Sequence, residues 1–295
     1  MELKNVRTFI KVAELENFTL AAAQLGYAQS TITAQIQQLE SELNADLFER
    51  NGKRIRLSAA GKVFLEYAYQ LSKYETLALN QFRKTEEPSG QLNIGIMETL
   101  CSSDFTNFFM DFAEKYPKIS LKINVVTTLE AMAGLNKGAF DIIFLLDKKI
   151  VRPHWKTFRC FPADIFFFCA KNHPLAQKKE VSVQQLLGER FILTEQGCNY
   201  RQVFESYLES QGLRLQCLTE IGHTNYIIQA VCRRLGIGLL PIFTLHHALE
   251  EEKISLIDVK DYSIRLYIQA IYNTQRCISL PMQTFLQQLE QFSFS

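Results

Sequence analysis

The chain has 295 residues, of which 47% are hydrophobic and 21% are charged. This length suits about two domains and the composition is that of a globular protein, so a single small module and a wholly disordered chain are both excluded. The 32 basic and 31 acidic residues give a net charge of +1. Any contact with nucleic acid or a membrane surface must therefore come from a local basic patch.

The N-terminal segment, residues 1–7, carries scattered charges and no apolar block. It lacks the pattern of a secretory signal, and no apolar stretch approaches the roughly 20 residues of a membrane-spanning helix. We therefore expect a cytoplasmic protein with no membrane partner. The cysteines lack CxxC spacing and the histidines lack HExxH spacing, so we expect no metal site.

Three helical patterns open the chain. The first has an apolar stripe and a charged face that we expect in solvent, made of Lys4, Arg7, Lys11 and Glu14. A short helix from Leu20 to Leu25 should follow, with Thr19 as its N-cap and Gly26 at its end. A third helix begins near Gln29 and has a core stripe made of Ile32, Ile36, Leu39 and Leu43.

The opposite face of the third helix carries short hydroxyl and amide side chains. Such side chains can reach base edges and phosphates when a helix lies in a major groove. The face carries Ser30, Thr31, Thr33, Gln35 and Gln37, and we predict DNA contacts from Ser30, Thr31, Thr33 and Gln35.

A hairpin is predicted next, because Asn51-Gly52 tolerates the positive φ angles of a tight turn. The segment around it is basic and contains no acid between Arg50 and Lys62. Such a cluster attracts phosphates independently of base sequence, and we predict contacts from Arg50, Lys53 and Arg54. Each feature alone is better explained as ordinary polar surface, but the combination favours DNA binding.

A long helical pattern runs from Ala59 to about Lys84 and ends at Pro88-Ser89-Gly90. Apolar residues recur along it at steps of three and four, which is typical of a two-helix seam. We predict a dimerisation helix whose contacts come from Phe64, Tyr67, Leu71, Tyr74 and Ala78. The alternative is a core helix that lies on its own domain.

The N-terminal motifs also stand in a specific order. They are Phe18-Thr19-Leu20-Ala21-Ala22, Gln29-Ser30-Thr31-Ile32-Thr33, Leu39-Glu40, Leu47-Phe48-Glu49-Arg50 and Leu57-Ser58. In these motifs the chain resembles LysR-type transcriptional regulators, closely over about the first 65 residues and more loosely beyond. The resemblance implies a winged helix-turn-helix, a linker helix, a homodimer or homotetramer, and a small-molecule effector.

The resemblance places Thr19, Gln29, Thr31, Thr33 and Arg50 where that family contacts DNA. The chain departs from the family pattern at four positions. Ser30 stands where proline is usual, Ala34 where a basic residue is common, Asn44 where glycine is usual and Ser58 where threonine is usual. Ala34 puts one phosphate contact in doubt. Two paired recognition helices should read half-sites about one helical turn apart, so we expect double-stranded DNA with a pseudo-palindromic operator.

Strand and helix patterns alternate beyond residue 90, with strands predicted for Ile165–Ala170 and Arg214–Thr219 among them, which predicts an α/β fold with two lobes. The resemblance identifies this region as a two-lobed effector domain similar to periplasmic binding proteins. We divide the chain into a winged helix-turn-helix (1–58), a linker helix (59–88) and an effector domain (89–295). Lobe I covers about 91–162 and 268–295, and lobe II about 163–267.

Hydroxyl side chains concentrate at the strand-to-helix turns of this region. A cleft between two α/β lobes offers such turns to a small polar ligand, and the resemblance places Thr99 and Thr128 in it. Comparable turns hold Ser102, Thr194, Cys198 and Thr224. We predict that these six residues bind an unidentified effector and that no cofactor is needed, although Ser and Thr also cap helices everywhere.

Three alternatives remain. Cys198 precedes a helix, and a helix N-terminus lowers the pKa of a thiol, so one alternative is a redox-sensing regulator. The position is similar to that of the reactive cysteine in peroxide-sensing relatives, but Tyr207 stands where the partner cysteine would follow, and the next cysteine is Cys217. A solute-binding protein would need an export signal and no DNA-binding head. A cysteine-dependent hydrolase would pair Cys101 or Cys198 with an unidentified base. Because no GxSxG motif or Gly-rich phosphate loop is present, we expect no enzyme.

Overall fold

Three helices and a hairpin form the head, residues 1–58. The computed structural model describes residues 1–51, 54–82, 87–215 and 218–294. The head contains α1 Leu3–Leu15, α2 Phe18–Leu25, α3 Gln29–Leu43, β1 Phe48–Asn51 and β2 Arg54–Leu57. Strands β1 and β2 pair antiparallel with Asn51 opposite Arg54, which confirms the predicted hairpin, while Lys53 lies outside the described residues.

Aromatic side chains fill the centre of the head. The ring of Phe9 lies 5.3 Å from that of Phe48 and 5.1 Å from that of Phe64, which belongs to α4 (Ala59–Phe82). Ile32 is fully buried, as its stripe predicts. Leu43 was expected in the same core, but it is 37% exposed because α3 ends there and Asn44 turns the chain away in the left-handed conformation.

The start of α2 differs from the prediction. Asn17, not Thr19, is the N-cap, and its side chain accepts a hydrogen bond from the Leu20 amide at 3.0 Å. Thr19 is already helical, and its hydroxyl donates to Oε1 of Gln29 at 2.9 Å. An Asn with extended backbone is as good a cap as Thr and stands two residues earlier. Gly26 ends the helix with φ 69°, as predicted.

The C-terminal part contains nine described strands and seven described helices. The strands are β3 Gly90–Ile96, β4 Ile119–Val125, β5 Ile142–Asp147, β6 Trp155–Ala170, β7 Phe191–Leu193, β8 Leu218–Glu220, β9 Ile237–Pro241, β10 Ile254–Leu256 and β11 Ile264–Asn273. The helices are α5 Phe105–Lys115, α6 Thr128–Lys137, α7 Val183–Leu186, α8 Asn199–Ser210, α9 Thr224–Cys232, α10 Ile242–Glu250 and α11 Leu280–Gln291. Short 3-10 turns cover Glu98–Ser102 and Pro174–Gln177.

One mixed sheet connects both lobes. Its order is β4-β3-β5-β11-β6-β9-β7-β8, and β10 pairs with β6. Strands β3, β4 and β5 are parallel and belong to lobe I, whereas β7, β8 and β9 are parallel and belong to lobe II. The long antiparallel pair β6 and β11 crosses from one lobe to the other. The predicted two-lobed α/β architecture is confirmed.

Two strand predictions were wrong in extent. The strand predicted for Ile165–Ala170 is the end of a longer strand that begins at Trp155. Its first part was not predicted, because Pro162 and flanking charges interrupt the apolar alternation there. The strand predicted from Arg214 begins at Leu218, and residues 216 and 217 lie outside the described part. The elements β7, α10, β10, β11 and α11 were not predicted.

The head also contacts lobe I. Glu14 of α1 was expected in solvent, but its side chain is only 4% exposed and forms an ion pair with Arg276, which follows β11. The sequence reading failed because the partner is 262 positions away in the chain, and local helical periodicity carries no information about such a neighbour.

We expect Asn17→Ala to weaken α2 by about 1 kcal/mol, because the Leu20 amide loses its acceptor. Hydrogen–deuterium exchange of α2 amides should then quicken about fivefold. Gln24→Ala, at an exposed position of the same helix, is the control and should leave the rates unchanged. Equal rates in the Asn17→Ala variant and the native chain would show that the cap contributes nothing.

Candidate DNA-binding face and interlobe cleft

The first turns of α3 form an exposed polar face. Gln29 and Ser30 are exposed, and Thr31 and Thr33, in the same first turns of the helix, are half-buried. The Thr33 hydroxyl donates to the Gln29 carbonyl at 3.0 Å. Because Thr19 is hydrogen-bonded to Gln29, the structure brings these five predicted residues together. We name them the recognition face.

Gln35 does not belong to this face. It is 7% exposed, and its Oε1 accepts a hydrogen bond from the buried Thr8 hydroxyl of α1 at 2.6 Å. The predicted DNA contact from Gln35 is therefore wrong. The sequence contains the signal that was missed, since position 35 lies three residues after Ile32 and so on the core side of the helix.

The hairpin strands β1 and β2, which we call the wing, lie against the start of α4. The Ser58 hydroxyl donates to the Asp46 carbonyl at 2.6 Å and accepts from the Gly61 amide at 2.9 Å. A Cβ at position 61 would lie 2.0 Å from the Leu47 carbonyl oxygen, so only glycine permits this approach. Serine thus caps α4 where the family commonly has threonine. Arg50 and Arg54 lie in the paired strands.

The residues predicted to dimerise lie on two faces of α4. Phe64 and Leu71 are half-buried and pack against the core of their own head. Tyr67, Tyr74 and Ala78 are exposed, and the two tyrosines are 64% and 65% accessible. The helix therefore belongs to the core of the head on one side and carries exposed side chains on the other.

Hydrogen bonds cross the cleft between the lobes. Asn199, the first residue of α8 in lobe II, donates through Nδ2 to the Thr128 hydroxyl at 3.1 Å and to the Leu146 carbonyl at 2.7 Å. Both acceptors belong to lobe I. Asn199 is 9% exposed, so the two lobes meet closely at this point.

A carboxylate makes the second bridge. Glu98 of lobe I accepts from the Thr224 hydroxyl at 2.6 Å and from the Thr224 amide at 3.2 Å, at the start of α9 in lobe II. Nδ1 of His223 lies 3.4 Å from Oε1 of Glu98. A negative charge at a helix N-terminus is favourable, because unpaired amides and the helix dipole both attract it.

A buried cluster of hydroxyls and one thiol lies beside these bridges. Thr99, Thr194, Cys198 and Tyr200 are each at most 7% exposed. The hydroxyls of Thr194 and Tyr200 are close to the other members but form no hydrogen bond of good geometry. An unpaired buried hydroxyl costs about 1–3 kcal/mol, so this cluster favours a guest that can hydrogen-bond to it.

Burial governs the titration of this cluster. It raises the pKa of the Cys198 thiol, and the Thr194 and Tyr200 hydroxyls and the Arg201 amide counteract the shift only in part. The expectation that the α8 N-terminus lowers this pKa was wrong, because desolvation of the thiolate outweighs the helix end. Burial also raises the pKa of Tyr200.

The predicted cleft residues are therefore mostly close together. Thr99, Thr128, Thr194, Cys198 and Thr224 line or bridge the interface between the lobes, whereas Ser102 is half-buried at the end of its 3-10 turn. Glu98, Asn199 and Tyr200 were not predicted, because only serine, threonine and cysteine in these turns were taken as candidate ligands. An acid and an amide in the same turns were the available signals.

The described residues contain neither a membrane-spanning helix nor a metal-binding cluster. No helix among them is long and apolar enough to cross a membrane. Likewise, no cluster of three or more histidine, cysteine, aspartate or glutamate side chains is arranged there to hold a metal ion.

Sequence comparisons cover nearly the whole chain. Residues 3–62 match the bacterial regulatory helix-turn-helix protein, lysR family, and residues 85–293 match the LysR substrate binding domain. The HTH-type transcriptional regulator YwqM of Bacillus subtilis (strain 168) is 33% identical over 290 residues, which is 97% of each chain.

Solved structures show the same fold. A full-length OxyR variant from Pseudomonas aeruginosa aligns with a TM-score of 0.71 at 18% identity and covers 99% of this chain and 94% of that one. Full-length CbnR with its target DNA aligns with a TM-score of 0.54 at 19% identity, over 99% of each chain. With both domains matched in order, the chain belongs to the LysR family of transcriptional regulators.

Proposed function

We propose that the recognition face reads the operator and that the wing holds the phosphates. The observation that carries this is the split of α3, with Gln29 and Ser30 exposed while Ile32 and Gln35 are buried against α1. Only one side of the helix is then free to enter a major groove. Arg50, Lys53 and Arg54 of the wing supply the charge that attracts the duplex.

The head, residues 1–58, acts in this proposal as one of a pair joined through the linker, residues 59–88. Tyr67, Tyr74 and Ala78 supply the exposed face between two copies, and a pseudo-palindromic operator matches their symmetry. The likeness to CbnR, whose structure contains its target DNA, supports this reading. DNA binding also supports a cytoplasmic location.

The effector domain, residues 89–295, takes its ligand between the lobes. Thr99, Thr128, Thr194, Cys198 and Thr224 supply polar atoms there, with Ser102 nearby. A ligand that enters must bridge or replace the bonds of Asn199 and Glu98. It can shift the regulator only if it binds one arrangement of the lobes more tightly than another.

The raised pKa values of two cysteine thiols argue against catalysis by this chain. The hydrolase alternative needs a nucleophilic thiolate, but burial raises the pKa of both Cys101 and Cys198. The Cys101 thiol also donates to the Met97 carbonyl at 3.7 Å. A solute-binding role does not account for the head. We therefore propose a ligand-controlled regulator that is not an enzyme.

Gln29→Ala and Ser30→Ala should each weaken operator binding by about 1–3 kcal/mol if the side chain contacts a base edge. Fluorescence anisotropy titrations at fixed salt measure the affinity for two duplexes, one from the DNA upstream of the gene that encodes the chain and one with a scrambled sequence. Gln38→Ala, exposed further along α3, is the matched control and should bind normally. Equal losses on both duplexes would contradict base reading by these residues.

Thr99→Val should weaken effector binding about tenfold, since it removes a buried hydrogen-bonding group from the cleft. A thermal-shift screen of metabolites on the native chain identifies the ligand, and titration then compares the variants. Thr219→Val, at an exposed position of β8, is the control. Unchanged affinity in Thr99→Val would place the ligand elsewhere.

Cys198 should react with iodoacetamide more slowly at neutral pH than the exposed Cys160 of the same chain. The raised pKa keeps the Cys198 thiol protonated, and its alkylation should quicken only at a pH above the ordinary thiol value. Mass spectrometry of the labelled peptides measures both rates. Fast labelling of Cys198, together with loss of an oxidant response in Cys198→Ser, would favour the redox-sensing alternative instead.

A further inference from the structure

A buried ion pair joins the head to lobe I. Nη1 of Arg276 lies 2.5 Å from Oε1 of Glu14, and the two side chains are 18% and 4% exposed. Nζ of Lys11 lies 3.0 Å from Oε2 of the same carboxylate. Removing one partner of a buried pair leaves the other charge uncompensated, which is far more costly than losing a surface pair.

Arg276 also holds the linker helix and α6. Its Nη2 donates to the Asn136 carbonyl at 2.9 Å, and its guanidinium lies 5.6 Å from the centre of the Tyr69 ring in α4. The next residue, Cys277, donates to the Ser72 carbonyl at 2.9 Å. We name this set the head–lobe contact: Lys11, Glu14, Tyr69, Ser72, Asn136, Arg276 and Cys277.

The surroundings of Arg276 leave room for its guanidinium but do not give every N–H group a hydrogen-bond acceptor. A Cβ at Gly138 would lie 1.5 Å from Nη1, so glycine at the end of α6 leaves room for the guanidinium. The buried Nε has no hydrogen-bond partner. An unpaired buried N–H lowers the net stability of the contact, so the head can be released at a smaller cost than the number of bonds suggests.

Helix α6 spans the distance between the cleft and this contact. Its first residue, Thr128, accepts the hydrogen bond of Asn199 from lobe II, and the Asn136 carbonyl near its last turn accepts that of Arg276. The capping box of Thr127 and Glu130 fixes the first turn. Ten residues of α-helix are about 15 Å long, so α6 reaches from the Asn199 bond to the Arg276 bond.

We propose that the head–lobe contact sets the orientation of the head on its own lobe I and that α6 transmits the state of the interlobe cleft to it. This rests on the proposed function, in which the effector acts between the lobes. A ligand that displaces Asn199 changes the restraint on Thr128, and the shift of α6 then weakens or strengthens the hold of Arg276 on Glu14.

The ion pair is tested by charge exchange in the full-length chain without ligand. Glu14→Arg and Arg276→Glu each place like charges together, so exchange of α1 and of residues 274–278 should quicken about tenfold. The double variant restores opposite charges at positions 14 and 276 but leaves Lys11 beside the new arginine, so its rates should fall between those of the single variants and the native chain. Arg265→Glu, which breaks the exposed Asp164 pair in lobe II, is the control. A double variant as fast as the singles would overturn the contact.

Transmission through α6 is tested separately with Asn199→Ala. Exchange should change at least threefold in α1 and residues 274–278 as well as in α8, although Asn199 touches neither of the first two. A change confined to α8 would overturn the role of α6. Because the readout uses no DNA and no effector, its result stands apart from the proposed function, which fails instead if the native chain retards no duplex.

The single tryptophan lies at the same place. Nε1 of Trp155, the first residue of β6, donates to Oδ1 of Asn136 at 3.0 Å. Asn136 therefore bonds to β6 through its side chain and to Arg276 through its carbonyl. This ties the end of α6 to the strand that both lobes share.

Discussion

The antiparallel pairing of β6 with β11 is the constraint on which the rest depends. Both strands run from lobe I into lobe II, so the lobes are joined by continuous backbone ladders and can only hinge about them. The parallel strands on either side end towards the cleft, which brings Thr128 opposite Asn199 and Glu98 opposite Thr224. Without this shared pair there would be no defined cleft, and α6 would have no fixed support.

Much of this architecture can be predicted from local patterns. Helical stripes such as that of Ile32 and the alternation in β3 reflect burial on one side or in one layer, and burial is what the sequence encodes most directly. The hairpin of β1 and β2 could be predicted from the backbone preferences of Asn51-Gly52 alone. The first part of β6, before Ile165, escaped prediction because Pro162 and its charged neighbours obscure the alternation there.

The functional residues were predictable where their environment is local, and not elsewhere. Gln29 and Ser30 follow from the position of α3, and Gln35 could have been excluded by the same periodicity. Glu14 could not be assigned, since its buried partner comes from the other end of the chain. For Cys198, the helix end was visible in the sequence, but the stronger effect of burial depends on how the two lobes close.

The position of Trp155 has an optical consequence. The chain contains one tryptophan, and its indole is hydrogen-bonded to the amide of Asn136. Indole emission depends on the polarity and mobility of the groups around the ring, so any repacking at the end of α6 alters the colour or intensity of the protein's own fluorescence. The regulator thus contains an intrinsic spectroscopic probe between its sensing and its DNA-reading parts, which requires no dye and no change of sequence.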